Sequence, residues 1–251
     1  MATARVTSIS QGDRQARIDL AAAFRLTARF GWHEAVANHF SLAIDPDGRR
    51  ILINPRWRHF ARIKASDLLA LDVDDPKVME RPDAPDPTAW CIHGALHRLR
   101  PEIACVLHTH MPYATALTSL EDSRVLPIDQ NSARFWGRVA QDECYGGFAM
   151  AREEGDRIAA ALGDKPILFL KNHGVIVTGR SVAEAFDELY YLEKACQQLV
   201  IAYSTGRPLR LISDNLAAQV AGDWQDYGEF ARAHFDELKA LLDDEAPGYA
   251  S

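Results

Sequence analysis

Hydrophobic positions along this chain recur with two different periods, one typical of helices and one typical of strands. In residues 13–31 the apolar positions recur every three or four residues and end at Gly31, which predicts a helix with a glycine stop. Five later segments are also predicted to be helices, and one of them, 181–205, is long and contains neither Gly nor Pro. They are 88–100, which Pro101 ends, 111–120, 152–162, 181–205 and about 220–243.

Shorter apolar runs bounded by turn residues predict strands. The runs "HFSLAID" and "RILINP" flank the turn sequence "PDGR" and predict a β-hairpin. "IACVLHTH" predicts one buried strand, and "PILFLKNHGVIVTG" predicts two short strands around a turn. "KASDLLALDVD" predicts only a short capped turn, followed by a surface loop over residues 74–90. Helices interleaved with hairpin-linked strands predict an α/β sandwich with a mixed or antiparallel sheet.

Composition narrows the class of function. At 251 residues and 47% hydrophobic, the chain is long enough for one large domain with a sizeable core. The net charge of −7 and the short basic clusters argue against a nucleic-acid-binding surface, so a small-molecule substrate is expected. The first residues lack the apolar core of a secretory signal, and no apolar run of about 18 residues is present, so we expect a cytoplasmic protein outside the membrane.

The four cysteines are widely spaced and fall in apolar segments without a CxxC pair. Buried, reduced thiols explain this pattern better than disulfides or a zinc knuckle do.

Three histidines are candidates for metal ligands. His108 and His110 stand one residue apart in "VLHTHM", and side chains at i and i+2 of an extended strand project to the same face. His173 lies at the predicted turn in "KNHG", where Gly174 permits a close backbone approach or a positive φ. Three neutral imidazoles on rigid elements are typical of catalytic Zn²⁺, Mn²⁺, Fe²⁺ or Co²⁺ sites. The alternative is that each histidine is hydrogen-bonded separately in the core.

An ordered set of motifs resembles the class II aldolase and adducin family over roughly residues 15–210. The motifs are "NHFSL" (38–42), "HRLRPEIACVLHTHMPYATAL" (97–117), "LFLKNHGVIVTGRSVAEAF" (168–186) and "YYLEKACQ" (190–197). The resemblance implies a single α/β domain over residues 1–251, with a C-terminal helix and tail at 211–251. Its fold would be a three-layer α/β/α sandwich around a mixed, mainly antiparallel sheet.

The same resemblance implies a function. One divalent ion would be held by His108, His110 and His173, with zinc expected and manganese, iron or cobalt as alternatives. The ion would stabilise an enolate-like anion of a small substrate. The family also implies a homotetramer with its metal sites near subunit interfaces.

Two departures from the family's sugar-phosphate aldolases narrow the chemistry. The glutamate that serves them as metal ligand or base aligns with Ala89 here, and their phosphate-binding turn aligns with "INPRWRHF", which has no glycine. Aldol cleavage and epimerisation need an initiating base. Loss of CO₂ generates the carbanion directly and needs only an electron sink and a proton donor, so a decarboxylase is favoured.

His93 is the candidate proton donor, because it lies four residues after Ala89 on the same predicted helix face and an imidazole titrates near neutral pH. The alternative is a helix histidine hydrogen-bonded at the sheet. His97, one turn further, is expected at the surface.

Substrate contacts are expected from Asn38, which matches a family position beside the substrate, and from Arg56, whose guanidinium suits a carboxylate next to the indole of Trp57. The alternative for Arg56 is an exposed basic turn with Trp57 at a subunit contact. Asn131 stands near the position of a catalytic tyrosine in the fuculose-type aldolases and is a third candidate. Tyr249 is a weaker one, in a neighbouring subunit's site.

Three hypotheses follow. The first is a divalent-metal-dependent carbon–carbon lyase that decarboxylates a hydroxy- or keto-carboxylic acid. The second is aldol cleavage or condensation of a small hydroxy-carbonyl substrate, and the third is a non-catalytic, adducin-like domain. Oxidative cleavage with Fe²⁺ and O₂ also fits three histidines.

Overall fold

A seven-stranded sheet in the order β3-β2-β1-β4-β7-β6-β5 forms the centre of the computed structural model, which describes residues 11–251. Every neighbouring pair is antiparallel except β5 and β6, which are parallel. The strands are β1 (His39–Ala43), β2 (Arg50–Ile53), β3 (Leu69–Asp72), β4 (Cys105–Thr109), β5 (Val139–Asp142), β6 (Ile167–Leu170) and β7 (Gly174–Gly179). The α-helices are α1 (Gln11–Arg29), α2 (Pro87–Leu99), α3 (Pro112–Thr118), α4 (Gln130–Ala133), α5 (Arg152–Leu162), α6 (Val182–Ser204), α7 (Asp214–Asp226) and α8 (Glu229–Glu245).

Helices cover both faces of this sheet. Leu107 and Val175 point to the face that α1, α6 and α8 cover, where the larger apolar core lies. Val106 and Ile176, one residue further along each strand, point to the opposite face and pack against α2 and α5. The predicted three-layer α/β/α sandwich with a mixed, mainly antiparallel sheet is confirmed.

One edge of the sheet collects the chain segments that carry the candidate site. The antiparallel pairings bring the end of β4 beside the start of β1 and the start of β7. β2 and β6 end at the same edge, because they pair antiparallel with β1 and β7. We call this edge, where residues 32–38, 54–59, 108–111 and 171–174 meet, the site edge.

The C-terminal region differs from its prediction. The prediction of a single helix at about 220–243 is wrong, because Tyr227 and Gly228 separate two helices, α7 and α8. Trp224 and Phe230 pack edge to face across the break, with ring centroids 5.5 Å apart. Two helices are needed because α7 packs against α4, whereas α8 packs against α6 and α1.

Two strands were not predicted. "KASDLLALDVD" contains β3, which pairs with β2 and buries Leu71 between exposed neighbours. β5 runs parallel to β6, and its four residues are too short and too polar for an alternating pattern to stand out.

All four cysteines are free. Cys105 and Cys196 are buried as predicted and Cys91 is half-buried, but the prediction is wrong for Cys144, which is exposed. Within residues 11–251, no helix is long and apolar enough to cross a membrane.

Candidate metal centre

The structure brings the three predicted ligands, His108, His110 and His173, together at the site edge. His108 lies near the end of β4, His110 directly follows this strand, and His173 lies in the turn between β6 and β7. One ring nitrogen from each lies within 4.8 Å of the others. The ring centroids are 4.9 to 5.1 Å apart. This spacing lets all three imidazoles reach one ion.

Hydrogen bonds determine which ring nitrogens face each other. Nδ1 of His108 donates to the carbonyl oxygen of Val175 at 3.0 Å, and Nδ1 of His110 donates to the carboxylate of Glu34. In neutral rings both Nε2 atoms are then unprotonated, and they lie 3.3 Å apart. Two facing lone pairs repel unless a cation lies between them. The donor set therefore fits a divalent ion held by imidazole nitrogens.

Burial keeps two of the three imidazoles neutral. It lowers the pKa of His108 well below its ordinary value of 6.5, and burial, with a smaller effect of the neighbouring His110 ring, lowers the pKa of His173 to about 4. Neutral imidazole is the form that binds metals, so the two rings are ready to coordinate at neutral pH without losing a proton.

Gly174 is required at the start of β7 by a close approach of the backbone. A Cβ at this position would lie 2.7 Å from Cδ2 of His110 and 2.7 Å from the carbonyl oxygen of Thr109. The His110 ring and the Thr109 carbonyl group are not the far end of a flexible side chain, so neither can move aside easily. The left-handed position of the turn is instead Asn172, with φ of 56°.

Glu34 was not predicted as a site residue. The backbone N–H of Glu34 donates to Oδ1 of Asn38 at 2.7 Å, and Ala35 next to it has φ of 46°. These contacts hold the turn that brings the Glu34 carboxylate to His110, 76 positions away in the sequence. No local motif marks Glu34, because only the pairing of β1 with β4 brings the two segments together.

Asn38 itself is 1% exposed, and its side chain holds this turn. A contact between Asn38 and a substrate stays a prediction. Its Nδ2 is buried without a hydrogen-bond partner among the described residues.

His93 lies behind the triad in a fully buried network. Its Nε2 is 2.9 Å from Nδ1 of His39, and its Nδ1 is 2.5 Å from Oγ of Ser41. Oγ of Ser41 is also 2.7 Å from Nε2 of His97, which is buried, so the prediction that His97 lies at the surface is wrong. The reason is that residue 97 faces the sheet from the same side of α2 as residue 93. Burial lowers the pKa of His93 well below its ordinary value, and the role of His93 as acid stays a prediction.

The other predicted substrate residues occupy different surroundings. Arg56 is exposed in the segment after β2 at the site edge, with its guanidinium 3.8 Å from the ring centroid of Trp57, which is 69% exposed. Asn131 lies on α4, which packs against α6 and α7, and Arg134 just after it lines a cleft that includes Gly179 at the far end of β7. The structure therefore does not bring Asn131 to the triad.

Tyr249 is 1% exposed and donates a hydrogen bond to Asp243 on α8, at 2.7 Å. A role for Tyr249 in a neighbouring subunit's site stays a prediction.

Glu193 on α6 contacts the start of α3, close to the triad in the sequence. Its carboxylate accepts the backbone N–H groups of Tyr113 and Ala114, at 2.9 Å each, in the first turn of α3. Burial raises the pKa of Glu193 to about 7. This contact holds the helix that directly follows His110.

Comparisons with known proteins agree with this architecture. Residues 18–200 match the family model described as the class II aldolase and adducin N-terminal domain. The chain is 34% identical over 247 residues to a class 2 aldolase-like protein of Caulobacter vibrioides, covering 96% of this chain and 94% of that protein. It is 30% identical over 210 residues to human β-adducin, covering 81% of this chain but only 28% of β-adducin.

Solved structures show the same fold. The aldolase II superfamily protein from Pseudomonas syringae superposes with a TM-score of 0.87 at 33% identity, covering 97% of this chain and 98% of that one. L-fuculose 1-phosphate aldolase from Glaciozyma antarctica gives a TM-score of 0.81 at 24% identity, covering 99% of this chain and 96% of that one, and at this identity shows the fold alone. The chain therefore belongs to the class II aldolase and adducin family, as its motifs predicted.

Proposed function

We propose that this protein is a divalent-metal-dependent carbon–carbon lyase that releases CO₂ from a small hydroxy- or keto-carboxylic acid. The observation that carries the proposal is the triad, in which Nε2 of His108 and Nε2 of His110 face each other unprotonated. His108, His110 and His173 would hold the ion, and zinc is expected because three imidazoles are a common zinc ligand set. When bound, such an ion supplies Lewis-acid stabilisation for negative charge that develops on a substrate oxygen.

The surroundings of Ala89 support decarboxylation over a base-initiated reaction. Ala89 is 1% exposed and packs with Ile51, Ile53 and Leu71, so no carboxylate reaches the triad from the first turn of α2. A decarboxylation needs no initiating base, because the departing CO₂ leaves the electron pair behind. It needs a proton at the end.

The proton donor has two candidates with different access to solvent. His93 has both ring nitrogens in hydrogen bonds inside the network, so a proton from His93 would reach the triad only through His39. The side chain of Glu34 is 63% exposed and contacts His110, so its carboxylate can exchange a proton with water at the site edge.

Glu34 also favours a second candidate function, aldol cleavage. A carboxylate beside His110 is a base that the alignment at Ala89 does not reveal. A third candidate, a non-catalytic domain, is favoured by the 30% identity to human β-adducin.

A product assay separates these functions. Metal-loaded protein is incubated with aromatic and sugar-derived hydroxy and keto acids and with small hydroxy-carbonyl compounds, beside the His108→Ala variant. We expect CO₂ release that is lost in the variant. Aldehyde formation without CO₂ would replace the decarboxylase by an aldolase, and neither product from a metal-binding protein would favour the adducin-like domain. An oxygen electrode detects oxidative cleavage.

The remaining expectations belong to the same proposal. The first is a homotetramer with metal sites near subunit interfaces, and sedimentation velocity tests the oligomeric state. The second is a cytoplasmic location.

A further inference from the structure

The segment that follows β5 leads to the site edge. β5 runs parallel to β6, with Asp142 beside Leu170, so both strands end at the same edge of the sheet. The chain after β6 is the turn that carries His173, and the chain after β5 is the segment 143–150, which we call the β5 loop. Strand direction therefore brings the β5 loop beside one of the three predicted metal ligands.

The β5 loop places Tyr145 against His173. The two ring centroids are 6.4 Å apart, and the ring planes meet at 61° in an edge-to-face arrangement. Tyr145 is 58% exposed, so burial of its ring in the core does not explain this position. Its phenolic oxygen has no hydrogen-bond partner within residues 11–251. Tyr145 therefore offers a hydroxyl group beside the triad that no other described residue uses.

Arg157 on α5 fixes the residue before Tyr145. Its guanidinium donates to both carboxylate oxygens of Asp142, at 2.7 and 2.8 Å, and to the carbonyl oxygen of Cys144 at 3.2 Å. The backbone N–H of Cys144 donates to Oδ1 of Asp142 at 3.1 Å. Asp142 is only 5% exposed, so this charge-assisted contact is largely shielded from water. Both backbone polar groups of Cys144 are held, and the path of the chain into Tyr145 is set by them.

A second set of contacts joins the β5 loop to the turn of His173. The backbone N–H of Lys171 donates to the carbonyl oxygen of Asp142 at 3.0 Å. Nζ of Lys171 pairs with the carboxylate of Glu143 at 2.8 Å. Lys171 lies two residues before His173 in the same turn. The loop and the turn are therefore tied to each other where they leave the sheet, which fixes Tyr145 relative to His173.

The other end of the β5 loop is also held, but its middle is open. Gly147 has φ of 85°, a conformation that glycine adopts readily. Ala149 packs in the core beside α2 and α5, and the carbonyl oxygen of Ala151 accepts a hydrogen bond from Sγ of Cys91 at 2.9 Å. Phe148 is 88% exposed. The β5 loop is therefore fixed at both ends and open to solvent near Tyr145, where a ligand can enter.

The proposed substrate class has an oxygen atom for the free hydroxyl group of Tyr145. A hydroxy- or keto-carboxylic acid can chelate an ion through one carboxylate oxygen and its hydroxyl or keto oxygen. The other carboxylate oxygen is then left for a donor from the protein. A phenolic O–H is such a donor.

We propose that Tyr145 contacts the substrate, in that its hydroxyl group donates a hydrogen bond to the second carboxylate oxygen of an acid bound at the triad. The ring of Tyr145 forms one side of the substrate site, next to His173. This contact rests on the proposed function, since the triad is taken as the place where the acid binds. Tyr145 undergoes no change of charge in this role.

Binding of lactate to the zinc-loaded protein tests the contact. Tyr145→Phe keeps the ring and removes the hydroxyl group. Tyr227→Phe, at a tyrosine that is 63% exposed between α7 and α8, is the matched control. In calorimetric titrations we expect Tyr145→Phe to weaken lactate binding about fivefold, the effect of one lost hydrogen bond, and the control to match the wild type. Equal dissociation constants in all three proteins, or no binding of lactate to the wild type, would overturn the proposal.

Metal content separates this contact from a role in the triad itself. We expect Tyr145→Phe to hold as much zinc as the wild type, because Tyr145 supplies no ligand to the ion. Loss of zinc in this variant would make Tyr145 part of the metal centre and overturn the proposal. Lactate binding is measured without turnover, so a protein that binds lactate through Tyr145 and releases no CO₂ would contradict the proposed function alone.

Fluorine NMR locates the contact directly. With 3-fluorotyrosine in place of the seven tyrosines, the signal that disappears in Tyr145→Phe identifies residue 145, and Tyr227→Phe identifies residue 227 in the same way. We expect saturating lactate to shift the signal of residue 145 in the zinc-loaded protein and to leave that of residue 227 in place. A signal of residue 145 that stays unmoved while lactate binds would overturn the proposal.

Discussion

Protonation at single ring nitrogens decides what the triad can bind. The N–H groups of His108 and His110 are both committed to oxygen acceptors, so their other nitrogens are free for an ion. The motif "HTH" was enough to predict these two ligands and "NHG" to predict His173, because short spacings and turns are visible in a sequence. Glu34 and His39 were not predicted, since a partner that arrives through strand pairing leaves no local signal.

Glu34 should tighten metal binding by orienting His110. We expect Glu34→Gln to weaken zinc affinity about tenfold, because an amide accepts the Nδ1 hydrogen less strongly than a carboxylate does. Competition with a chromophoric chelator measures the change. Glu237→Gln, at an exposed position on α8, is the matched control and should leave affinity unchanged. Equal affinities for all three proteins would remove Glu34 from the metal centre.

Gly174 tests how closely the metal centre is packed. We expect Gly174→Ala to destabilise the protein by about 1 to 3 kcal/mol, because the new methyl group overlaps His110 and the Thr109 carbonyl group. Gly222→Ala is the control, since a Cβ there meets no atom within 4 Å and alanine favours the helix. Urea denaturation compares the two. A Gly174→Ala variant as stable as Gly222→Ala would contradict the close approach.

At the scale of elements, buried charged groups hold helices in the positions that the sheet alone does not fix. Glu193 joins α6 to α3, and Asp187 joins α6 to both Arg134 and His234, with contacts of 2.6 Å each. Periodicity predicted the helices α1, α2, α5 and α6 closely, because each has a long amphipathic or apolar face. It missed the break at Tyr227 and the strand β5, since both depend on what packs against them.

Glu193 should make stability depend on pH. Its folded-state pKa of about 7 lies above the ordinary value of 4.5, so the folded protein binds the proton more tightly than the unfolded chain does. The stabilisation that comes from this bound proton is present at low pH. It is lost as pH rises from the ordinary pKa of 4.5 through the folded-state pKa of about 7. We expect the urea midpoint of the wild type to fall, relative to Glu193→Gln, between about pH 5 and about pH 8. A constant difference between the two proteins would contradict the raised pKa.

Asp187 should be costly to neutralise. The side chain of Arg134 is 6% exposed and pairs with Asp187 at 2.6 Å and with Glu188 at 3.1 Å, so Asp187→Asn leaves a buried cation with only the longer of its two ion pairs. We expect a loss of about 3 kcal/mol in the free energy of unfolding. Asp236→Asn, which breaks an exposed pair with Arg232, should cost about 0.5 kcal/mol or less. Similar losses in calorimetric unfolding would mean that burial of the Arg134 pair has no energetic consequence.

At the scale of the whole molecule, one edge of one sheet assembles the site from segments distant in the sequence. The triad, the turn carrying Glu34 and the segment carrying Arg56 meet there because β1, β2, β4 and β7 alternate in direction. The fold and the grouping of the three histidines could be predicted because ordered motifs identify the family. The buried location of His97 and the far position of Asn131 could not, since a helix pattern does not show which neighbour covers a face.

The central claim is that His108, His110 and His173 together hold one divalent ion. Elemental analysis of purified, zinc-loaded wild type beside His108→Ala tests it most directly, with His59→Gln as a control outside the triad. We expect about one equivalent of metal in the wild type and the control, and less than about a tenth in His108→Ala, because removal of one of three ligands empties the site. Equal metal content in wild type and His108→Ala, whether near one equivalent or near zero, would contradict the account.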